Sequence, residues 1–132
     1  MLIQWFPGHM AKAKREALEK LKMVDLVIEL LDARLPESSR NPLIDDIIGN
    51  KPRLIVLNKA DLADKTATKE WVEYFKQDNK AQRAVSLSTL NNKDVENNKR
   101  ELKAMMAHTT KAMIATCVKP RAIRLMILGI HN

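Results

Sequence analysis

Four apolar runs, each closed by polar residues, set the rhythm of the chain: 24–31, 54–57, 83–87 and 122–129. Runs of four to eight apolar residues bounded by turn signals predict buried strands. Between them, apolar positions recur at helical spacing. Met10, Ala13, Ala17 and Leu21 share one face of a helix starting near His9, with Lys12, Arg15, Glu19 and Lys22 mostly opposite. Asn41 and Pro42 predict the cap and first residue of a second helix, which ends at Gly49-Asn50. Ala67, Trp71, Val72 and Phe75 form the stripe of a third helix, capped by Asp64 or Thr66. Val95, Leu102, Met105 and Met106 form that of a long fourth helix, capped by Asn92 or Asp94. Trp71, Phe75 and the methionines read as core filling. Pro7-Gly8 makes residues 4–10 a turn with aromatic anchors. A helix, then strand and helix three times, then a strand predicts an α/β domain on a parallel sheet.

A length of 132 residues suits one domain, divided into a basic N-terminal helix (1–22) and an α/β body (23–132). Hydrophobic residues make up 45% but aromatics only 4%, so Leu, Ile, Val and Met must fill the core. No apolar run approaches the ~18 residues that cross a membrane, and no membrane partner is expected. Residues 1–6 are too short for a signal peptide and lack a basic flank. A single cysteine, Cys117, allows no internal disulfide and no metal cluster. It reads as a small buried apolar residue in a protein of the reducing cytoplasm. The net charge of +7 is unevenly placed: +3 over residues 1–22, +6 over 99–124 and −2 between them. Basic ends on a near-neutral body suggest contact with a polyanion, most simply a nucleic acid. Arg-Gly repeats and the aromatic platforms of single-strand binders are absent.

The candidate chemistry lies where the second apolar run ends, at Leu57-Asn58-Lys59-Ala60-Asp61. A strand of this kind delivers side chains to the carboxyl edge of the sheet, where ligands bind. There Asp61 can accept two parallel hydrogen bonds from the N1–H and 2-amino group of guanine. Adenine lacks that pair of donors, so it would leave the carboxylate unpaired. Asn58 can bond a ring nitrogen or brace a neighbouring loop, and Lys59 can lay its stem on the base. The third run exits into a second polar turn on the same edge, Ser86-Leu87-Ser88. His9, beside Gly8 at a helix entrance, is either a capping or surface residue or a group reaching a water or phosphate. Phosphate chemistry needs G-x-x-x-x-G-K-[ST] after a strand, and these 132 residues contain no Gly-Lys-Ser/Thr.

Taken together, Gln4-Trp5-Phe6-Pro7-Gly8-His9-Met10, Asp32-Ala33-Arg34-Leu35-Pro36, Ser38-Ser39-Arg40-Asn41-Pro42, Asn58-Lys59-Ala60-Asp61 and Lys119-Pro120-Arg121-Ala122 carry a resemblance. The chain resembles, over all its residues, the N-terminal half of the bacterial ribosome biogenesis GTPase A family, circularly permuted GTPases in which base recognition precedes the phosphate loop. The resemblance implies a partial P-loop-NTPase-like G domain in permuted order. Its four adjacent parallel strands would run 122–128, 24–31, 53–57, 84–87, leaving 122–128 as an exposed apolar edge. It implies that Asn58, Lys59 and Asp61 read guanine. Ser86, Leu87 and Ser88 would form the second base-contacting motif, a backbone N–H meeting O6; Leu87 stands where such motifs have a small residue. Gly129 and Asn132 match the opening of the phosphate loop, with His131 in place of a proline. His9 matches a histidine proposed to assist hydrolysis. The implied ligands are GTP or GDP, with Mg²⁺ in the intact family protein. The implied partners are the large (50S) ribosomal subunit and its rRNA in late maturation, without DNA. Lacking the phosphate loop, the chain is expected to be inactive alone. The alternatives are a non-enzymatic ribosome- or rRNA-binding module and an inactive truncated gene product.

Overall fold

A computed structural model describes residues 2–3, 10–40, 45, 48–49, 51–77, 83–88, 91–116, 119 and 121–129. In chain order these form β1 (Leu2–Ile3), α1 (Met10–Leu21), β2 (Leu26–Asp32), β3 (Arg53–Asn58), a 3-10 turn (Ala60–Leu62), α2 (Lys65–Gln77), β4 (Arg83–Ser86), α3 (Asn92–Ala115) and β5 (Leu125–Gly129). The strands make one parallel sheet in the order β1-β5-β2-β3-β4. The four longer strands thus take the expected order, and the α/β class holds.

The expected exposed edge at β5 does not. Leu2 and Ile3, which the sequence reading placed in the basic N-terminal segment 1–22 and not in a strand, pair in parallel with Ile127 and Leu128. Two residues carry no periodicity, so only the pairing reveals the strand. It supplies backbone partners to an edge that would otherwise invite another chain.

Both sheet faces are covered, which is why the strands read as continuous apolar runs rather than alternating ones. On one face Val27, Met126 and Leu128 pack with Ala17 and Leu21 of α1 and with Ile48. Further along that face Leu31, Ile55, Leu57 and Ala84 pack against Phe75, Trp71 and Val72 of α2. The other face sets Leu26, Leu54, Val56 and Val85 against Leu102, Met105 and Met106 of α3. Of the predicted stripes, Trp71, Val72 and Phe75 of α2 and Leu102, Met105 and Met106 of α3 pack on the sheet, whereas Ala67 and Val95 are half-buried outside these clusters.

The helix ends refine the sequence reading. Asp64 serves α2, its carboxylate accepting from Thr66 N–H at 3.3 Å. For α3 the cap is Asn91, whose Oδ1 accepts from Lys93 N–H at 2.9 Å, rather than Asn92 or Asp94. Asp45 and Ile48 are helical, and Gly49 at φ +59° supplies the left-handed stop that glycine adopts without strain. The cap and start expected at Asn41 and Pro42, the aromatic turn, and Cys117 lie outside the described residues.

Candidate functional site

Parallel strands deliver their exits to one edge, and here β2, β3 and β4 deliver Asp32, Asn58 and Ser86. Asp32 is in register with Asn58, and Leu57 with Ser86. After β3 the chain turns sharply through Lys59, the one non-glycine residue at positive φ (59°) among the described residues. The turn is tied to the β4 exit from both sides. Leu87 N–H donates to the Leu57 carbonyl at 2.8 Å, and Ala60 N–H donates to the Leu87 carbonyl at 3.0 Å. Asn58 is tied to the β2 exit, its carbonyl accepting from Ala33 N–H at 2.8 Å.

A pocket of about 490 Å³ opens between the 3-10 turn, the β4 exit and the starts of α2 and α3. That volume falls within the range of small-molecule sites. Asp61, Ser86 and Ser88 line it together with Thr68, Asn91 and Asp94. Lys65 and Lys69 of α2 form its cationic wall. Among the described residues the Asp61 carboxylate has no hydrogen-bond or ion-pair partner, so it is available to a donor-rich ligand edge.

Asn58 and Lys59 stand on the β2 side, outside that lining. Lys59 Nζ lies 4.0 Å from Asp32 Oδ2. Asp32 is itself firmly held. The Arg34 guanidinium grips it at 3.0 and 2.7 Å, Arg34 N–H donates to Oδ1 at 2.9 Å, and the Asp32 N–H donates to Ser39 Oγ at 3.1 Å. The Arg34 hydrogen bond is the main cause that lowers the Asp32 pKa to about 2 against the opposing effect of burial. Leu87 turns its side chain into the core beside α3 and contributes backbone to the site.

The β4 exit is also braced by α3. Ser88 N–H donates to Asp94 Oδ2 at 3.0 Å, and Asn98 Nδ2 donates to the Ser86 carbonyl at 3.1 Å. Leu87 N–H and Ser88 N–H are thus both paired within the chain, to Leu57 and Asp94. Thr68 and Asn91 were not singled out in the sequence, Asp94 was read only as a helix cap and Asp32 only as a polar strand exit; their places here follow from the strand register and the helix starts. Gly129 ends β5, next to the β2 exit. His9 and Asn132 lie outside the described residues. Among the described residues no three His, Cys, Asp or Glu side chains gather as a metal site.

No family model matches the chain. Similar proteins are nonetheless clear. A protein of Bacillus cereus named ribosome biogenesis GTPase A is 52% identical over all 132 residues, which cover 44% of that protein. Its namesake from Bacillus licheniformis is 50% identical over the same 132 residues, 46% of its length. A protein of Xenopus tropicalis named mitochondrial ribosome-associated GTPase 1 is 51% identical over 73 residues, 55% of this chain and 24% of that protein. The chain thus spans a little under half the length of the bacterial relatives, and over its whole length it is similar to that part of these ribosome biogenesis GTPase A proteins.

Proposed function

We propose that these 132 residues are the base-reading part of a ribosome-assembly GTPase, arranged in circularly permuted order and working in the cytoplasm. Asp61 takes the paired donors of guanine, Ser86 to Ser88 face its carbonyl edge, and Lys59, held by Asp32, covers the base. Asn58 braces the turn. The single observation that carries the reading is the Asp61 carboxylate, without a partner among the described residues, in a pocket walled by the β4 exit and the starts of α2 and α3. His9 is assigned the ordering of a hydrolytic water, and Gly129 with Asn132 the approach to the phosphates. Magnesium and the remaining phosphate contacts belong to the intact family protein, which would act on the large ribosomal subunit and its rRNA late in maturation. The pocket residues fit a purine with paired donors; the described residues by themselves do not assemble a metal site.

Calorimetric titration of GDP into the purified chain, with ADP as control, tests base reading. GDP should bind and ADP should not. Asp61→Asn should weaken GDP roughly 10- to 100-fold, the worth of a charge-assisted hydrogen-bond pair. Equal affinity for GDP and ADP in folded protein would refute the assignment.

A further inference from the structure

The outward face of α3 has a charge distribution that the helix itself does not explain. The helix contains three acids, and two of them turn inward. Asp94 bonds Ser88 N–H, and Glu101 Oε2 takes Arg83 Nη1 at 2.6 Å. Only Glu96 remains outside, paired with Lys99 at 3.4 Å. Against it stand Lys93, Lys99, Arg100, Lys103 and Lys111, all exposed. At 100° per residue these five cations fall within about a third of the helix circumference, over an axial length of about 27 Å. Among the described residues Lys93, Arg100, Lys103 and Lys111 have no acidic partner.

Ordinary helix stabilisation does not account for this placement. Cations favour the last turn of a helix, and the last turn of α3 has none, whereas Lys93 sits in its first turn. Arg100 with Lys103 and Lys99 with Lys103 are like-charge neighbours at i,i+3 and i,i+4, which destabilise an isolated helix. Some lysines elsewhere are placed differently: Lys12 of α1, Lys22 just after it and Lys76 of α2 each stand beside a glutamate one turn away. Repulsion left standing on one helix face is relieved by an external polyanion.

We propose that this face of α3 docks on the phosphate backbone of double-stranded RNA, a proposal that rests on the ribosome-assembly reading above. Ala104 and Ala107 lie between the cations and let the helix approach closely. The face lacks the aromatic residues that stack on single strands or anchor protein interfaces. Leu102, Met105 and Met106 of α3 are spent on the sheet, and Ile114 is the one large apolar residue the helix exposes among the described residues, too little to enter a lipid surface. Phosphate contacts of this kind position a protein without reading sequence.

The test is the binding of the full chain to a fluorescein-labelled RNA duplex across a salt series, comparing two charge-matched variants. Lys99→Gln/Arg100→Gln/Lys103→Gln removes three cations of the face. Lys12→Gln/Lys22→Gln/Lys76→Gln removes three paired ones elsewhere. The first should make the slope of log K against log salt shallower by about 2 to 3, so that between about 50 and 200 mM salt it loses roughly 20- to 60-fold less affinity than the wild type. The second should leave the slope near wild type. Circular dichroism confirms the helix in both. Equal effects of the two variants, or an unchanged slope in the first, would overturn the docking face while leaving RNA binding intact. No binding of wild-type chain to the duplex at low salt would overturn this proposal, and the GDP titration above decides separately whether the reading it rests on stands. Binding to phosphatidylglycerol vesicles that the duplex does not displace would overturn it in favour of a membrane surface.

Discussion

At the scale of single residues, Asp32 organises the site's charge without lining its pocket. It anchors Lys59, and its own position is set by Arg34 and Ser39. Because the Arg34 hydrogen bonds lower its pKa from the ordinary 3.8 to about 2, ionised Asp32 favours the folded chain. A depressed carboxylate contributes stability that is fully present above its unfolded value and is lost as pH falls through the folded one. The contribution should therefore fade between about pH 4 and pH 2. Asp32→Asn keeps the side-chain shape and removes the titration. Urea midpoints measured from pH 5 down to pH 2 should show the variant below wild type at pH 5, with the two converging toward pH 2. A constant gap across that window would mean that the Arg34 contact does not depend on the charge. Asp61 was legible from sequence because a strand exit with Asn-Lys-x-Asp places a carboxylate at a ligand-binding edge. Asp32 was legible only as a polar strand exit, since its contact with Lys59, 27 positions away, arises only through the register of β2 and β3.

At the scale of elements, strand centres were readable and their ends were not. Apolar content marks the part of a strand buried on both faces, whereas its limits depend on neighbouring chain. β5 shows the difference. The apolar run suggested a start at 122, yet the strand begins at Leu125 because the preceding residues are engaged in a clamp. Arg121 donates to both Asp25 carboxylate oxygens at 2.8 Å, and Arg124 N–H adds a third bond to Oδ2 at 2.8 Å. Asp25 N–H answers by donating to the Arg124 carbonyl at 2.7 Å. The pair lies 96 positions apart in sequence and fixes where β5 meets β2 after the long α3. The start of α3 was similarly ambiguous, since Asn91, Asn92 and Asp94 are all capping types. Geometry gives the cap to Asn91 and leaves Asp94 to hold Ser88. Arg121→Ala and Asp25→Ala should each lower the thermal midpoint by a few degrees. The double variant should lose little more than either, since each removes the same contact. Fully additive losses would show that the two residues act separately.

At the scale of the whole molecule, the sheet is fastened to its helical layer by charge as well as by apolar packing. Glu29 in β2 and Arg53 in β3 are each 1% exposed and lie 3.0 Å apart. Arg53 also meets Asp45 at 3.0 Å, Asp45 meets Arg40 at 3.2 Å, and the Arg40 guanidinium sits 5.4 Å from the Phe75 ring centre. This chain of contacts joins two strands, the helix containing Asp45, the loop after β2, and α2. Its sequence signal was an acid in the middle of an apolar strand, but nothing in spacing connected Glu29 to a basic residue at the start of another strand. Taking two charges out of water costs nearly as much as their attraction returns, so the intact pair adds little net stability over apolar residues. Removing one partner is another matter, because the other charge stays buried. Arg53→Met and Glu29→Leu should each destabilise the chain by about 3–5 kcal/mol in urea unfolding. The double variant Glu29→Leu/Arg53→Met should recover most of that loss, leaving Asp45 to its contact with Arg40. Were the double variant instead to lose as much as either single variant, the network would be contributing attraction beyond its desolvation cost. It would then be a source of stability for the sheet and not only a device that specifies how its layers meet.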